Sequence, residues 1–302
     1  MRPLSLAERG LAKPTVSLRA LLAGNRPEIR GTTDVALADY TREVVRSGFP
    51  GLRHLSGRPL RAQLDGYLRR IVDTDFEEMG REVRRPQLLR RWMAAYAAAT
   101  ATAASYETIR DAATPGEADK PAKTTTIPYR DVLERLWIVD PIAAWSPTRN
   151  AVARLTRSPK HHLVDPALAA RLLGVGEDAL LGGYDVGPPV PRDGTLLGHL
   201  FESLVTLSVR VYAQAAEAGI GHLRTAGGKR EVDLIVERDD RRVVAVEVKL
   251  SGTVGDGDVR HLLWLRDQLG EDLLDEVVVT TGPEAYRRAD GVAVVPAALL
   301  GA

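Results

Sequence analysis

The chain has 302 residues, 44% hydrophobic and 27% charged, a composition typical of a globular protein with two or three domains. It contains no cysteine, which excludes disulfides, thiolate nucleophiles and cysteine zinc sites and leaves carboxylates and six histidines as metal ligands. The net charge of +1 gives no argument for nucleic acid, and without a long apolar run or a secretory signal we expect a cytoplasmic protein with no membrane partner.

The first predicted region covers residues 1–82. Residues 1–30 are rich in proline, glycine and arginine and lack a sustained apolar period, so no independently stable element is predicted there. Over residues 34–82, apolar residues recur at helical spacing and predict two amphipathic helices. A turn containing glycine and proline at residues 47–51 separates them.

The second predicted region covers residues 83–184 and is also helical. A helical block follows Pro86, a polar stretch at residues 114–121 predicts a surface insertion, and the apolar period resumes over residues 126–139. Three short helices with such turns are compatible with a winged-helix unit, and the alternative is a plain packing module.

The third predicted region covers residues 193–302. Three prolines within residues 188–191 predict a linker at residues 185–192, because proline enters neither a helix interior nor a central strand. After it we predict a helix at 195–218, strands at 231–236 and 243–250, a helix at 258–269, and strands at 275–281 and 292–295. This order predicts an α+β protein whose C-terminal part is an α/β sandwich on a small mixed sheet.

Two strands of this region carry charged residues at positions where neighbouring residues are apolar. Strand alternation places Glu247 and Lys249 on the face opposite the surrounding valines. In the preceding strand, the same alternation directs Asp233 away from the apolar face. If the hairpin closes over a three-residue loop centred on Asp240, Asp233 faces Glu247 with Cβ atoms about 5 Å apart.

Two carboxylates at this separation repel each other unless a cation lies between them, so the pattern predicts a Mg²⁺ or Mn²⁺ site. Lys249 would place a positive charge beside a scissile phosphate, which is the chemistry of metal-assisted phosphodiester hydrolysis. Glu202, on the preceding helix, would add a further ligand. The alternative is an ordinary ion pair between Glu247 and Lys249 on a solvated strand face.

Asp233 followed by Glu247-Val248-Lys249 resembles the D-x(n)-E-x-K signature of the PD-(D/E)xK nuclease superfamily, which includes Holliday-junction resolvases and restriction enzymes. Val232 stands where that signature has its proline. The resemblance implies a restriction-endonuclease-like sandwich acting on DNA. It also implies that Asp233 and Glu247 are metal ligands, that Lys249 is the catalytic lysine and that Glu202 is the acid of the helix.

The chain also looks like the part of AAA-type ATPases that carries a DUF4143 region after the ATPase core. The similar stretches, in order, are RPLSLAER at residues 2–9, SGFP at 47–50, IVDTD at 71–75, GHLFE at 198–202 and REVD at 230–233. On this resemblance, residues 1–82 correspond to a lid-like remnant of an ATPase, and an ATPase partner or self-association is expected.

The sequence contains no Gly-x-x-x-x-Gly-Lys-Ser/Thr loop, so no ATP site is predicted in these residues and we expect no ATP hydrolysis by the chain alone. A late start codon, a truncated gene and action without the motor are open explanations.

Two basic groups are candidates for contact with nucleic-acid phosphates. One precedes the strand that carries Asp233 and consists of Lys229 and Arg230. The other is a cluster around the start of the second region, Arg84, Arg85, Arg90 and Arg91 with Arg81 nearby. For the cluster, the alternative is a solvated helix face.

Two weaker signals involve histidine. The Lys160-His161-His162 run is a poor candidate for a metal site, because adjacent residues rarely converge on one ion. His261 and Trp264, on the helix after the strand that carries Glu247, are expected to pack against the sheet, and the alternative is that they face the cleft.

Three functions are therefore compatible with the sequence. The first is a metal-dependent DNA nuclease. The second is a catalytically silent DNA-binding or assembly module with the same fold. The third is a regulatory protein that binds a separate ATPase.

Overall fold

The computed structural model describes residues 2–81, 83–114, 123–147, 158–182 and 196–302. From residue 115 onward, the insertion predicted at residues 114–121 lies outside this range. The linker predicted at residues 185–192 lies wholly outside it.

Most helices of the described residues lie before residue 183, and the last two lie in the C-terminal part. They are α1 Leu6–Arg9, α2 Leu18–Leu22, α3 Leu37–Val45, α4 Gly57–Arg70, α5 Phe76–Glu78, α6 Pro86–Ala98, α7 Tyr106–Ala112, α8 Lys123–Arg135, α9 Pro166–Leu172, α10 Glu177–Gly182, α11 Leu196–Ala215 and α12 Asp256–Leu269. A π-helical turn, Ile71–Asp75, joins α4 to α5, and short 3₁₀ turns lie at Pro50–Leu52, Ala226–Gly228, Gly270–Asp272 and Ala297–Leu299. Within the described ranges, no helix is both long enough and apolar enough to cross a bilayer.

Among the described residues, ten strands form two sheets. They are β1 Val16–Ser17, β2 Gly31–Thr32, β3 Ala144–Trp145, β4 Gly219–Arg224, β5 Glu231–Glu237, β6 Val243–Val248, β7 Leu273–Thr280, β8 Glu284–Arg287, β9 Ala293–Pro296 and β10 Leu300–Gly301. The main sheet has the order β2-β8-β9-β7-β6-β5-β4-β3, and β1 pairs with β10 in a small second sheet. Strands β4, β5 and β6 are antiparallel neighbours, whereas β6, β7 and β9 run parallel.

Both faces of the main sheet are covered. On one face, residues of α11 such as Leu200 and Leu204 share a core with Leu234 and Val246. On the other face, α12 packs against Ile235 and its neighbours. The predicted α+β order, with a helical N-terminal half and a C-terminal mixed sheet, is confirmed.

The main sheet is larger than the sequence predicted, because β2, β3, β4 and β8 were missed. The predicted helix 195–218 ends at Ala215, and β4 follows at Gly219. Two glycines within the six residues of β4 weaken its strand pattern, and β8 has only four residues.

No independently stable element was predicted for residues 1–30, yet this segment contains short helices that pack on the rest of the chain. Helices α1 and α2 form there, and Leu6 and Leu18 are fully buried. These helices are too short to be stable alone and depend on tertiary contacts. For example, the backbone N–H of Leu6 donates to Ser208 Oγ on α11 at 3.0 Å.

A short antiparallel ladder follows the helices α6, α7 and α8 and leads to the C-terminal half. It consists of two bridges, Val139 with Leu163 and Ile142 with Lys160. At the second bridge the backbone hydrogen bonds between Ile142 and Lys160 measure 2.8 and 2.9 Å. The side chain of Lys160 projects from this ladder into the site described next.

Candidate carboxylate and lysine site

Strands β5 and β6 hold the acidic residues of the site in register. Their antiparallel ladder pairs Leu234 with Val246, so Asp233 faces Glu247 one step further along. This is the register that the sequence predicted from a loop centred on Asp240, and it is confirmed.

Asp233, Glu247 and Lys249 lie in one cluster at this end of the hairpin. Asp233 Oδ2 accepts a hydrogen bond from the backbone N–H of Val248 at 2.9 Å, which fixes the carboxylate against β6. Lys249 Nζ lies 3.3 Å from Glu247 Oε1. The other oxygen, Glu247 Oε2, is buried and has no hydrogen-bond partner among the described residues.

A second lysine, Lys160, occupies the centre of the site. Its Nζ atom lies 2.8 Å from Glu202 Oε1, 2.9 Å from Asp233 Oδ1 and 3.4 Å from Glu231 Oε1. The Lys160 side chain is only 1% exposed, so this is a buried ion-pair network rather than a surface one. The structure therefore brings the predicted Glu202 to Asp233, with an ammonium group between them.

Burial controls the protonation of the two glutamates. It raises the pKa of Glu202 to about 8, and the neighbouring Asp233 charge adds to this effect, which Lys160 only partly offsets. Burial and the Asp233 charge also raise the pKa of Glu247 well above its usual value. Burial therefore favours the protonated form of both glutamates.

Asp233 and Lys160 are both ionised. Burial acts to raise the pKa of Asp233, but the Lys160 charge and the Val248 hydrogen bond outweigh it and leave that pKa below its usual value. Burial acts to lower the pKa of Lys160, yet Asp233 and Glu202 keep it well above its usual value. The buried centre thus contains the ion pair between Lys160 and Asp233, with two glutamates beside it whose pKa values are raised.

A divalent metal ion does not fit this arrangement of residues. Asp233 uses Oδ1 for Lys160 and Oδ2 for Val248, and Glu202 Oε1 is also taken by Lys160. Among the residues that the structure describes, no three His, Cys, Asp or Glu side chains are placed to hold a metal. An ion at this position would also be repelled by the ammonium. Lys160 is the cation that these carboxylates share.

The predicted basic pair Lys229 and Arg230 lies in the loop that enters β5. Lys229 is exposed, and the Arg230 guanidinium lies over the Trp264 ring at 5.6 Å from its centroid. Trp264 packs against the second hydrophobic core, as the sequence predicted. Arg224, at the end of β4, lies on the other side of this loop, and its Nε atom is 3.9 Å from Glu231 Oε2.

Helix α12 adds a further cation to the same end of the sheet. His261 Nδ1 lies 2.8 Å from the carbonyl oxygen of Glu231, and Arg260 Nε donates to His261 Nε2 at 3.1 Å. Because Nε2 accepts a hydrogen bond, Nδ1 carries the proton and donates to Glu231. Burial lowers the pKa of His261, which agrees with a neutral ring. His261 therefore anchors α12, and Arg260 beside it, to the start of β5.

The other predicted basic cluster belongs to a different element. Arg84 and Arg85 are exposed and precede α6, and Arg91 is exposed on that helix. Arg90 Nη2 lies 3.3 Å from Asp73 Oδ1. This arginine cluster thus belongs to the helical half, the part of the chain before α11, whereas Lys229 and Arg230 belong to the sheet. Their binding to nucleic acid stays a prediction.

The three residues of the Lys160-His161-His162 run have different surroundings. His161 lies between the Tyr96 hydroxyl, at 3.3 Å, and the Ala104 carbonyl, at 2.8 Å. His162 is buried, and neither ring nitrogen has a hydrogen-bond partner among the described residues. Burial and the nearby Lys160 charge lower the pKa of His162 well below its usual value, so its ring is neutral.

Lys160 is the site residue that sequence reasoning missed. It lies 42 residues before Glu202 and 73 residues before Asp233, in a different predicted region. Strand alternation and helical periodicity relate residues only within an element or a hairpin. No pattern in the sequence therefore connects Lys160 to the carboxylates.

The fold and the site define a two-part α+β protein with a buried carboxylate and lysine centre. A family profile described as "Domain of unknown function (DUF4143)" matches residues 197–300, so a DUF4143 domain is found at the C-terminal end and contains all four carboxylates. A second profile, "Domain of unknown function (DUF8612)", matches residues 37–179 and contains Lys160. No curated protein and no solved structure matches the chain.

Proposed function

We propose that this chain is a nucleic-acid-binding module with a nuclease-like C-terminal domain, which binds the phosphate backbone but does not cut it in this arrangement. The observation that carries the proposal is the position of Lys160. Its ammonium pairs with Asp233 and Glu202, where a metal-dependent nuclease would hold its ion.

Nucleic acid is the favoured ligand because cations from three elements surround the same end of the hairpin. Arg224 ends β4, Lys229 and Arg230 precede β5, and Arg260 is on α12. Their neighbour Glu231 contacts Arg224, Lys160 and His261 through its side chain or backbone. Such a cluster supplies the sequence-independent attraction that dominates binding to phosphate backbones.

Fluorescence anisotropy with labelled single-stranded, duplex and branched DNA in EDTA tests this proposal. We expect non-specific binding in the range of about 1 to 100 μM, and Lys229→Ala/Arg230→Ala should reduce the salt slope by about 2. Arg84→Ala/Arg85→Ala tests the second basic group in the same way. Arg58→Ala/Arg61→Ala is the matched control, because it removes two exposed charges from α4.

The proposal fails if the wild type binds none of these DNAs. It also fails if the salt slope is the same for Lys229→Ala/Arg230→Ala and for the α4 control.

A metal-dependent phosphodiesterase is the second candidate. It is favoured by the facing positions of Asp233 and Glu247, and by Glu247 Oε2, a buried oxygen without a partner among the described residues. On the resemblance to PD-(D/E)xK nucleases, Asp233, Glu247 and Glu202 would be its metal ligands and Lys249 its catalytic lysine. Lys160 would then have to leave the site before an ion entered.

A cleavage assay separates the two candidates. Labelled single-stranded, duplex and branched DNA is incubated with Mg²⁺ or Mn²⁺ and with wild type or Asp233→Ala/Glu247→Ala. Our first proposal expects no cleavage by either protein. Cleavage by the wild type that is lost in the variant would replace it with the phosphodiesterase.

Assembly with another protein is compatible with either candidate. The resemblance to AAA-type ATPases supports an ATPase partner or self-association. The three helices α6 to α8, followed by the ladder at Val139 and Ile142, support a winged-helix unit in the helical half. Light scattering coupled to size-exclusion chromatography tests self-association directly.

A further inference from the structure

The segment that carries Lys160 is held by the helical half of the chain, not by the sheet that carries the carboxylates. Its backbone pairs with Ile142 on one side. On the other side, the His161 N–H donates to the Thr102 carbonyl at 2.9 Å, and the Ala101 N–H donates to the His161 carbonyl at 2.8 Å. The position of the ammonium group is therefore set by residues of the DUF8612 match.

The carboxylates that receive Lys160 belong to the DUF4143 domain. Glu202 is on α11, and Glu231 and Asp233 are on β5. A lysine that is 1% exposed and lies within 3 Å of two carboxylate oxygens is not a solvated surface pair. Removing it would leave an uncompensated charge in a buried place, so the carboxylates need a cation at that position.

We infer that Lys160 is the resident cation of this site, supplied by the helical half in place of a divalent ion, and that an ion binds only when Lys160 is withdrawn. The inference deepens the proposed function, because it explains why the nuclease-like domain does not cut. It also gives the helical half control over the site. A displacement of the segment around Lys160 would uncover Asp233 and Glu202 together.

The main test is calorimetric titration of Mn²⁺ and Mg²⁺ into wild type, Lys160→Met and Lys160→Met/Asp233→Asn. Methionine keeps most of the length of the lysine side chain and removes its charge. We expect Lys160→Met to bind one Mn²⁺ at least about 100-fold more tightly than wild type, because the repulsion from a unit charge at contact distance is removed. The double variant should lose this gain, because a ligand oxygen is replaced by an amide.

Two outcomes would overturn the inference: wild type binding Mn²⁺ as tightly as Lys160→Met, or neither protein binding it. No DNA is present in this titration. A failure of the proposed nucleic-acid binding would therefore appear only in the anisotropy experiment and leave the metal result intact.

A second measurement uses the unaltered protein and does not require the variant to fold. The six lysines of the chain are acetylated with an N-hydroxysuccinimide ester in EDTA, and the rate of acetylation of each lysine is followed by peptide mass spectrometry. Lys160 should react at least about 100-fold more slowly than the exposed Lys229, because it reacts only after local opening. Equal rates for the two lysines would contradict a buried resident cation.

Discussion

The ion pair between Lys160 and Asp233 should make a large, measurable contribution to the free energy of unfolding. In Lys160→Met, the ionised Asp233 loses its buried partner, and we expect a loss of about 3–5 kcal/mol. In Asp233→Asn, Lys160 keeps Glu202 at 2.8 Å and Glu231 at 3.4 Å, so the loss should be smaller, about 1–3 kcal/mol. The double variant Lys160→Met/Asp233→Asn has neither charge of the pair to bury.

Because the double variant removes both partners, its loss should be smaller than the sum of the single losses by about 2 kcal/mol or more. Urea denaturation followed by circular dichroism, at pH 7 in EDTA, measures all four free energies. An exposed pair gives the control cycle: Arg42 Nη1 lies 2.9 Å from Asp39 Oδ1, with both side chains at least 40% exposed. Its coupling should not exceed about 0.5 kcal/mol.

The reasoning is refuted if the single losses for Lys160→Met and Asp233→Asn add to within about 0.5 kcal/mol, as they do for independent sites. That result would mean that the two charges are separated or solvated in the folded protein. Lys160 would then not be the resident cation of the site.

Three further variants test His222 near the site and two positions elsewhere in the fold. Burial lowers the pKa of His222 from about 6.5 to about 4, so the folded state keeps it neutral while the unfolded chain takes up a proton. Stability should therefore fall as pH drops from 6.5 to 4, and His222→Gln should lose less than wild type by about 3 kcal/mol in urea titrations at pH 7 and pH 4. Asp165→Ala should lower the free energy of unfolding by about 3–5 kcal/mol in urea titrations. The Asp165 carboxylate accepts hydrogen bonds from Ser47 Oγ and the Gly48 N–H at 2.7 Å each, and it also caps α9. A loss under about 1 kcal/mol would contradict this. Trp137→Gly should leave the melting temperature unchanged or higher, because residue 137 has φ +56° and its side chain is 72% exposed; a clear drop would show that the indole packs in solution.

The parts of the site that the sequence predicted correctly are those fixed by local rules. Strand alternation and a loop centred on Asp240 were sufficient to place Asp233 opposite Glu247. The same rules missed β4, whose glycines dilute its pattern, and the short strand β8. They also gave Lys160 no role, because its contact with Asp233 spans 73 residues and depends on how the two halves pack.

The position of Lys160 also makes the charge of the site a property of the whole chain. A buried group of carboxylates is tolerated only when protons or a cation compensate it, and the cation can be a dissociable ion or a tethered side chain. An ion would couple the site to the metal concentration in solution. Lys160, which lies on the ladder at Ile142, instead couples the charge of the site to the helical half of the chain. A movement of that ladder relative to α11 removes one positive charge from Asp233 and Glu202. A ligand that binds the helical half and shifts this ladder would therefore change the affinity of the carboxylates for cations. By thermodynamic reciprocity, a cation bound to the carboxylates would change the affinity for that ligand by the same factor.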